Sequence, residues 1–101
     1  MKQLKVVGGL RAGMANATWP FATLKATKDK LVLKAFMIGK FSFSKEDIIS
    51  IEPYYDIPII GRGIKINHKV IQYKEKIIFW SFKNPNEIIN DIMLLGFLDN
   101  T

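Results

Sequence analysis

None of the 101 residues is a cysteine, which excludes a disulfide framework, a thiolate zinc site and a thiol nucleophile. Histidine is nearly absent: His68 stands alone. One histidine does not make a multi-histidine metal centre, and no carboxylates stand around it at ligand spacing. His68 alternates with Ile64 and Ile66, so it is expected at the rim of the core, hydrogen-bonded there. Arginine is limited to Arg11 and Arg62, against thirteen lysines. The guanidinium fork reads phosphate and guanine better than an ammonium does. The formal charge of +6 therefore predicts diffuse attraction to anionic partners more than bidentate recognition. No run approaches the roughly 20 apolar residues of a membrane-spanning helix. The N-terminal run Val6–Leu10 is too short, and too broken by Gly8 and Gly9, for a signal peptide. A cytoplasmic location is expected, at most peripheral to a membrane.

Catalytic groupings are also missing. Glu46 and Asp47 are adjacent, which on a strand sends them to opposite faces; a turn before Ile48 accounts for both. Ser42, Ser44, Ser50 and Ser81 have no nucleophile-elbow context. Gly61-Arg62-Gly63 lacks the spacing and following helix of a phosphate loop, and is expected to relieve a bend between strands. The expectation is a protein that is not an enzyme, with no cofactor and no metal.

What is present is a single domain over residues 1–101, of common domain length and about half apolar. Residues 1–15 carry Gly8, Gly9 and Gly13; they are expected to hold a short strand at Leu4–Val7 or a less ordered arm, with the core over 16–97. From Ala17 onward, period-2 alternation dominates. A strand is predicted over Thr18–Thr27, with Pro20 marking an edge or a bulge. Leu31/Leu33, Phe41/Phe43 and Ile64/Ile66 alternate in further strands, and Ile77–Phe82 reads as the last. Phe41, Phe43, Phe79 and either Trp80 or Phe82 are assigned to the core. Between Pro53 and Gly61, two prolines and a glycine argue against a central strand. The apolar side chains there, Tyr54, Tyr55, Ile57, Ile59 and Ile60, either cover a barrel mouth, form an irregular edge strand, or make a contact loop for a partner, a second copy or a membrane surface, with Arg62 and Lys65 beside it.

One helix is predicted over 85–96. Asn84 suits the N-cap, Pro85 the first helical position, and Glu87 a capping box with the Asn84 amide. Gly96 suits a left-handed stop, with Phe97 folding back onto Ile92. Ile88, Ile89, Ile92, Met93 and Leu95 make an apolar stripe. Short strands joined by tight turns pair antiparallel and curl. The fold class is therefore mainly β: a bent antiparallel sheet or partly open barrel of six to seven strands, capped by a C-terminal α-helix.

The segments Asn16–Leu24, Lys30–Leu33, Phe41–Ile48, Gly63–His68 and Ile78–Trp80, with the helix of Asn84–Phe97, resemble small bacterial pleckstrin-homology-like (PH-like) and GRAM-like domains. The resemblance implies a binding module. Lipid-binding members use basic residues around the first hairpin, and it maps that role to Lys25, Lys28, Lys30 and, one step on, Lys34. Asp29 sits among these lysines and no arginine joins them, so a diffuse anionic attraction is implied. The expected function is non-catalytic engagement of a protein partner or an anionic membrane surface, with self-association as a further use of the contact loop. Peptide binding on such a fold would add a strand at an open sheet edge. The alternative is a small basic nucleic-acid-binding barrel, which would need aromatics exposed beside lysines.

Overall fold

The alternating segments form seven strands in the computed structural model, which describes residues 2–55 and 61–98. They are β1 (Leu4–Ala12), β2 (Ala15–Ala26), β3 (Lys30–Ala35), β4 (Gly39–Ser44), β5 (Ile48–Tyr54), β6 (Gly63–His68) and β7 (Ile77–Trp80). A 3-10 turn at Lys45–Asp47 joins β4 to β5, and helix α1 (Pro85–Leu94) follows β7. All pairings are antiparallel, in the order β4-β3-β2-β1-β7-β6-β5. In a flat sheet of this order, β4 and β5 would lie about 29 Å apart, six strand spacings. The link from Ser44 to Ile48 reaches at most about 14 Å. The sheet must curl, and it forms a half-barrel with one C-terminal helix. The mainly β class expected from the sequence is what the chain adopts.

The inner face is one apolar cluster. Leu10, Leu24, Leu31, Leu33, Phe43, Ile64, Ile66 and Phe79 are fully buried in it, with Ile88 and Ile92 from α1. The helix rests against β5 and β6. Its N-cap is Asn84, whose Oδ1 accepts from the Asn86 N–H at 2.9 Å. Glu87 joins through its own N–H, to the Asn84 carbonyl. Among the described residues, the reciprocal bond from the Glu87 carboxylate is absent. The helix ends at Leu94, two residues short of the expected bound. The stop has the expected form: the Gly96 N–H reaches the Met93 carbonyl at a φ of +90°, and Phe97 is buried in the same cluster as Ile92.

Two sequence expectations change here. The short strand or arm at the N-terminus is instead the nine-residue β1, the middle strand of the sheet. Gly8 and Gly9 are in it for closeness. A Cβ on Gly8 would lie 2.0 Å from the Trp80 carbonyl oxygen, and one on Gly9 2.3 Å from the Trp80 indole. Second, Lys25, Lys28 and Lys30 flank the second hairpin, because β1 precedes the strand expected as the first. The edge-strand alternative is adopted where the segment 53–61 begins: β5 extends through Pro53 and Tyr54 and is an edge strand, where a missing N–H costs no ladder bond. The reading of Pro20 holds. Gly8 pairs with Ala22 and Leu10 with Ala17, so four residues of β2, Thr18-Trp19-Pro20-Phe21, bulge outward opposite Gly9.

The β4 edge is occupied. Tyr73 Oη accepts from the Ser42 N–H at 3.1 Å and donates to the Ser42 carbonyl at 3.4 Å. Asp47 Oδ2 accepts from the Ser44 N–H at 2.9 Å and the Ser44 hydroxyl at 3.0 Å. These bonds, the backbone one foremost, hold the Asp47 carboxyl below its ordinary pKa. His68 anchors the connection that carries Tyr73: Nδ1 accepts from the Val70 N–H at 3.0 Å, and Nε2 lies 2.8 Å from the Lys74 carbonyl. An acceptor Nδ1 and a carbonyl-facing Nε2 define the neutral tautomer with its proton on Nε2. Half-buried beside Phe43, His68 is the hydrogen-bonded rim residue the sequence suggested. Tyr73→Phe is expected to cost about 1 kcal/mol in urea unfolding, because it strips Ser42 of its edge partner while keeping the ring contacts with Phe41 and Phe43.

Candidate functional site

Strand register decides which lysines meet. Leu31, Leu33 and Ala35 of β3 and Ala22, Leu24 and Ala26 of β2 point inward, so Lys25, Lys30 and Lys34 stand on the outer face. Lys5 of β1 pairs directly with Lys25, and Lys34 pairs directly with Lys40 of β4. Like charges placed opposite each other across a ladder destabilise it. Strands β1–β4 contain six basic residues and no acidic one. Among the described residues the one ion pair is Lys83–Asp91, at 2.8 Å, so these lysines have no carboxylate partner there.

An apolar band lies at one end of this basic face. The Phe36 N–H bonds the Phe21 carbonyl, and the two rings sit 6.2 Å apart. Trp19, in the bulge, packs 5.4 Å from Phe82. Phe36 is 70% exposed, Met37 89% and Phe82 72%, with Phe21 and Trp19 about half exposed. Phe21 and Phe36 share a shallow depression with Lys34, and Met37 shares another with Lys34 and Lys40. The open choice between Trp80 and Phe82 is resolved: Trp80 is buried over Gly9, and Phe82 is outside.

Of the residues the sequence put forward, Lys25, Lys30 and Lys34 share this face. Lys28 is in the turn, its Cβ 3.9 Å from where a Cβ on Gly96 would be, and so lies beside the end of the helix. Arg62 and Lys65 are apart from them: Lys65 is in β6, in the other half of the sheet, and Arg62 immediately precedes that strand. Lys65 stands opposite Glu52, an opposite charge. Tyr54 ends β5, half-buried, with Lys76 Nζ 5.1 Å from its ring centroid; Tyr55 is exposed. Ile57, Ile59 and Ile60 lie outside the described residues. The sequence reading missed Lys5, Lys40 and the exposed apolar set. A signal for the basic face was available, since nine of the fifteen basic residues but only one of the nine acidic residues precede Glu46.

The remaining polar cluster is Ser50, Glu52 and Asn67 on the β5–β6 outer face, linked at 2.9–3.2 Å. It has no imidazole or second carboxylate to move a proton. Among the described residues, no group of three or more His, Asp or Glu side chains is arranged to hold a metal ion, and no helix is long and apolar enough to cross a membrane.

No family model matches the chain, and no curated protein matches it. Among solved structures, it is similar to the C-terminal domain of an unknown protein from Leishmania infantum. The TM-score is 0.72, over 97% of this chain and 85% of that one, at 13% sequence identity. This likeness concerns the fold alone.

Proposed function

We propose that the protein is a non-catalytic binding module of PH-like type, whose β1–β4 outer face engages an anionic membrane surface. The observation that carries this reading is the pairing of Lys5 with Lys25 and of Lys34 with Lys40, on strands without an acidic residue. Such an arrangement weakens the sheet, and an external anionic surface relieves it. Each lysine held near an anionic bilayer contributes about 1 kcal/mol. The seven-strand, one-helix architecture supports the PH-like part of the reading. A peptide partner added along β4 is disfavoured, because Tyr73 and Asp47 already take the Ser42 and Ser44 amides. Base stacking is disfavoured too, since the exposed rings are tilted against one another, at 42° and 58°, where a stacking platform needs an open ring face.

Co-sedimentation with phosphatidylserine-containing vesicles at low salt tests the proposal. Changing Lys5, Lys25, Lys34 and Lys40 together to glutamine is expected to weaken binding about a thousandfold. The same change should hold or slightly raise the thermal midpoint, because two like-charge pairs disappear. Arg62→Gln with Lys65→Gln should have a much smaller effect. Undiminished binding by the four-lysine variant, or a wild type indifferent to these vesicles, would refute the reading.

A further inference from the structure

The β3–β4 turn departs from what stability alone would select. Met37 has a φ of +68°, the left-handed region that glycine and asparagine occupy readily and other side chains do not. The turn is tight, closed by the Ile38 N–H on the Ala35 carbonyl. A strained residue that is also almost wholly exposed gains nothing for the core. Strain of this kind is retained at positions that serve a ligand. Phe36 beside it is exposed as well, and Phe21, Trp19 and Phe82 continue the apolar surface. Lys34 and Lys40, directly paired, flank the turn at its base, one on each strand.

We infer that Phe36 and Met37, backed by Phe21, form a wedge that enters the acyl-chain boundary of an anionic bilayer while Lys34 and Lys40 hold its headgroups. This inference rests on the membrane reading above and adds an inserted apolar element to it. The occupant follows from charge and chemistry together. Lysines without an acidic neighbour select an anionic surface, and a protruding apolar tip between them requires a surface with a hydrocarbon interior. Stable peripheral anchoring takes two such signals, for example an apolar one and a polybasic one, since one alone binds only marginally. Phenylalanine on the apolar face of an interfacial segment sits at the boundary between headgroups and acyl chains.

The test uses vesicles of phosphatidylcholine and phosphatidylserine, with brominated phosphatidylcholine as a quencher. Met37→Trp adds a fluorophore at the tip to the native Trp19 and Trp80, and its emission, taken as the difference from wild type, is expected to be quenched on binding. Met37→Asn removes the apolar side chain and suits the left-handed backbone, so it should raise the thermal midpoint while lowering affinity at physiological salt about tenfold. Phe36→Ser should lower affinity similarly. The residual binding of both variants should vanish in high salt. A tip that stays unquenched on fully bound protein, with both variants binding as wild type does, would overturn the wedge and leave the electrostatic reading standing. No vesicle binding by wild type at low salt would overturn both. A wild-type dimer in sedimentation that Phe36→Ser dissociates would assign the band to a second copy of the chain and overturn the wedge. Salt-resistant capture of single-stranded oligonucleotide, lost in Phe36→Ser, would overturn it as well.

Discussion

Replacing Gly8 with alanine is expected to destabilise the protein by about 3 kcal/mol, the upper end of the usual cost of overpacking, lowering the thermal midpoint by about 15 °C in a domain of this size. The added methyl would stand 2.0 Å from the Trp80 carbonyl oxygen and 2.8 Å from the Phe79 ring. The first is a main-chain atom, so no rotamer change relieves the clash. Relief requires β1 and β7 to separate, and that loosens ladder bonds worth about 1 kcal/mol each. The β1–β7 junction joins the two halves of the sheet, β4-β3-β2-β1 and β7-β6-β5. Damage there is therefore not confined to a loop. Urea unfolding of Gly8→Ala checks this, and wild-type stability would mean that the two strands do not meet as described.

Ile92→Ala is expected to cost about 2–5 kcal/mol, a large share of the 5–15 kcal/mol typical of a folded domain. Ile92 is fully buried in the middle of the apolar stripe of α1, with Ile88 in the same cluster and Phe97 closing behind the helix. A helix of ten residues does not persist in water without its packed face. Its loss would open the concave side of the half-barrel. The exposed Leu94, on the same helix, supplies the contrast: Leu94→Ala should fall within about 0.5 kcal/mol of wild type. Equal effects at the two positions would show that the helix is docked on another face.

Those elements whose causes are local were legible in the sequence. Leu31/Leu33 and Phe41/Phe43 declare their strands by alternation over a few residues, and Asn84, Pro85 and Gly96 mark the helix by contacts within one turn. The bulge at Pro20 belongs to the same group. β1 was obscured because the reason for Gly8 and Gly9 is Trp80, at the far end of the chain. In isolation a glycine pair reads as flexibility; beside an indole and a carbonyl oxygen it is the condition for close approach. The basic face was only half visible. Lys25 and Lys34 stood out, but their partners Lys5 and Lys40 come from strands whose register is a tertiary fact. The exposed band was hidden for the opposite reason, since Trp19, Phe21 and Phe36 have the composition of a core. What turns them outward is the four-residue bulge against Gly9 and the strained turn at Met37.

The position of β1 also orders events in time. Its pairing with β2 closes over a two-residue turn, so β1 to β4 assemble as a meander from contacts that are near in the chain. Its other edge has to wait for β7, which begins more than sixty residues after β1 ends. Until then Gly8 and Gly9 present an unpaired backbone edge with no side chains to shield it, the condition under which nascent strands join the wrong neighbour. The long-range closure of β7 onto β1 is accordingly expected to be the slowest step of folding, because the entropy of the intervening loop is lost before any contact compensates it. It is checked by whether Gly9→Ala slows refolding more than a substitution in the β2–β3 turn. The glycines that admit the Trp80 carbonyl and indole in the finished sheet are thus also where the unfinished chain is most vulnerable.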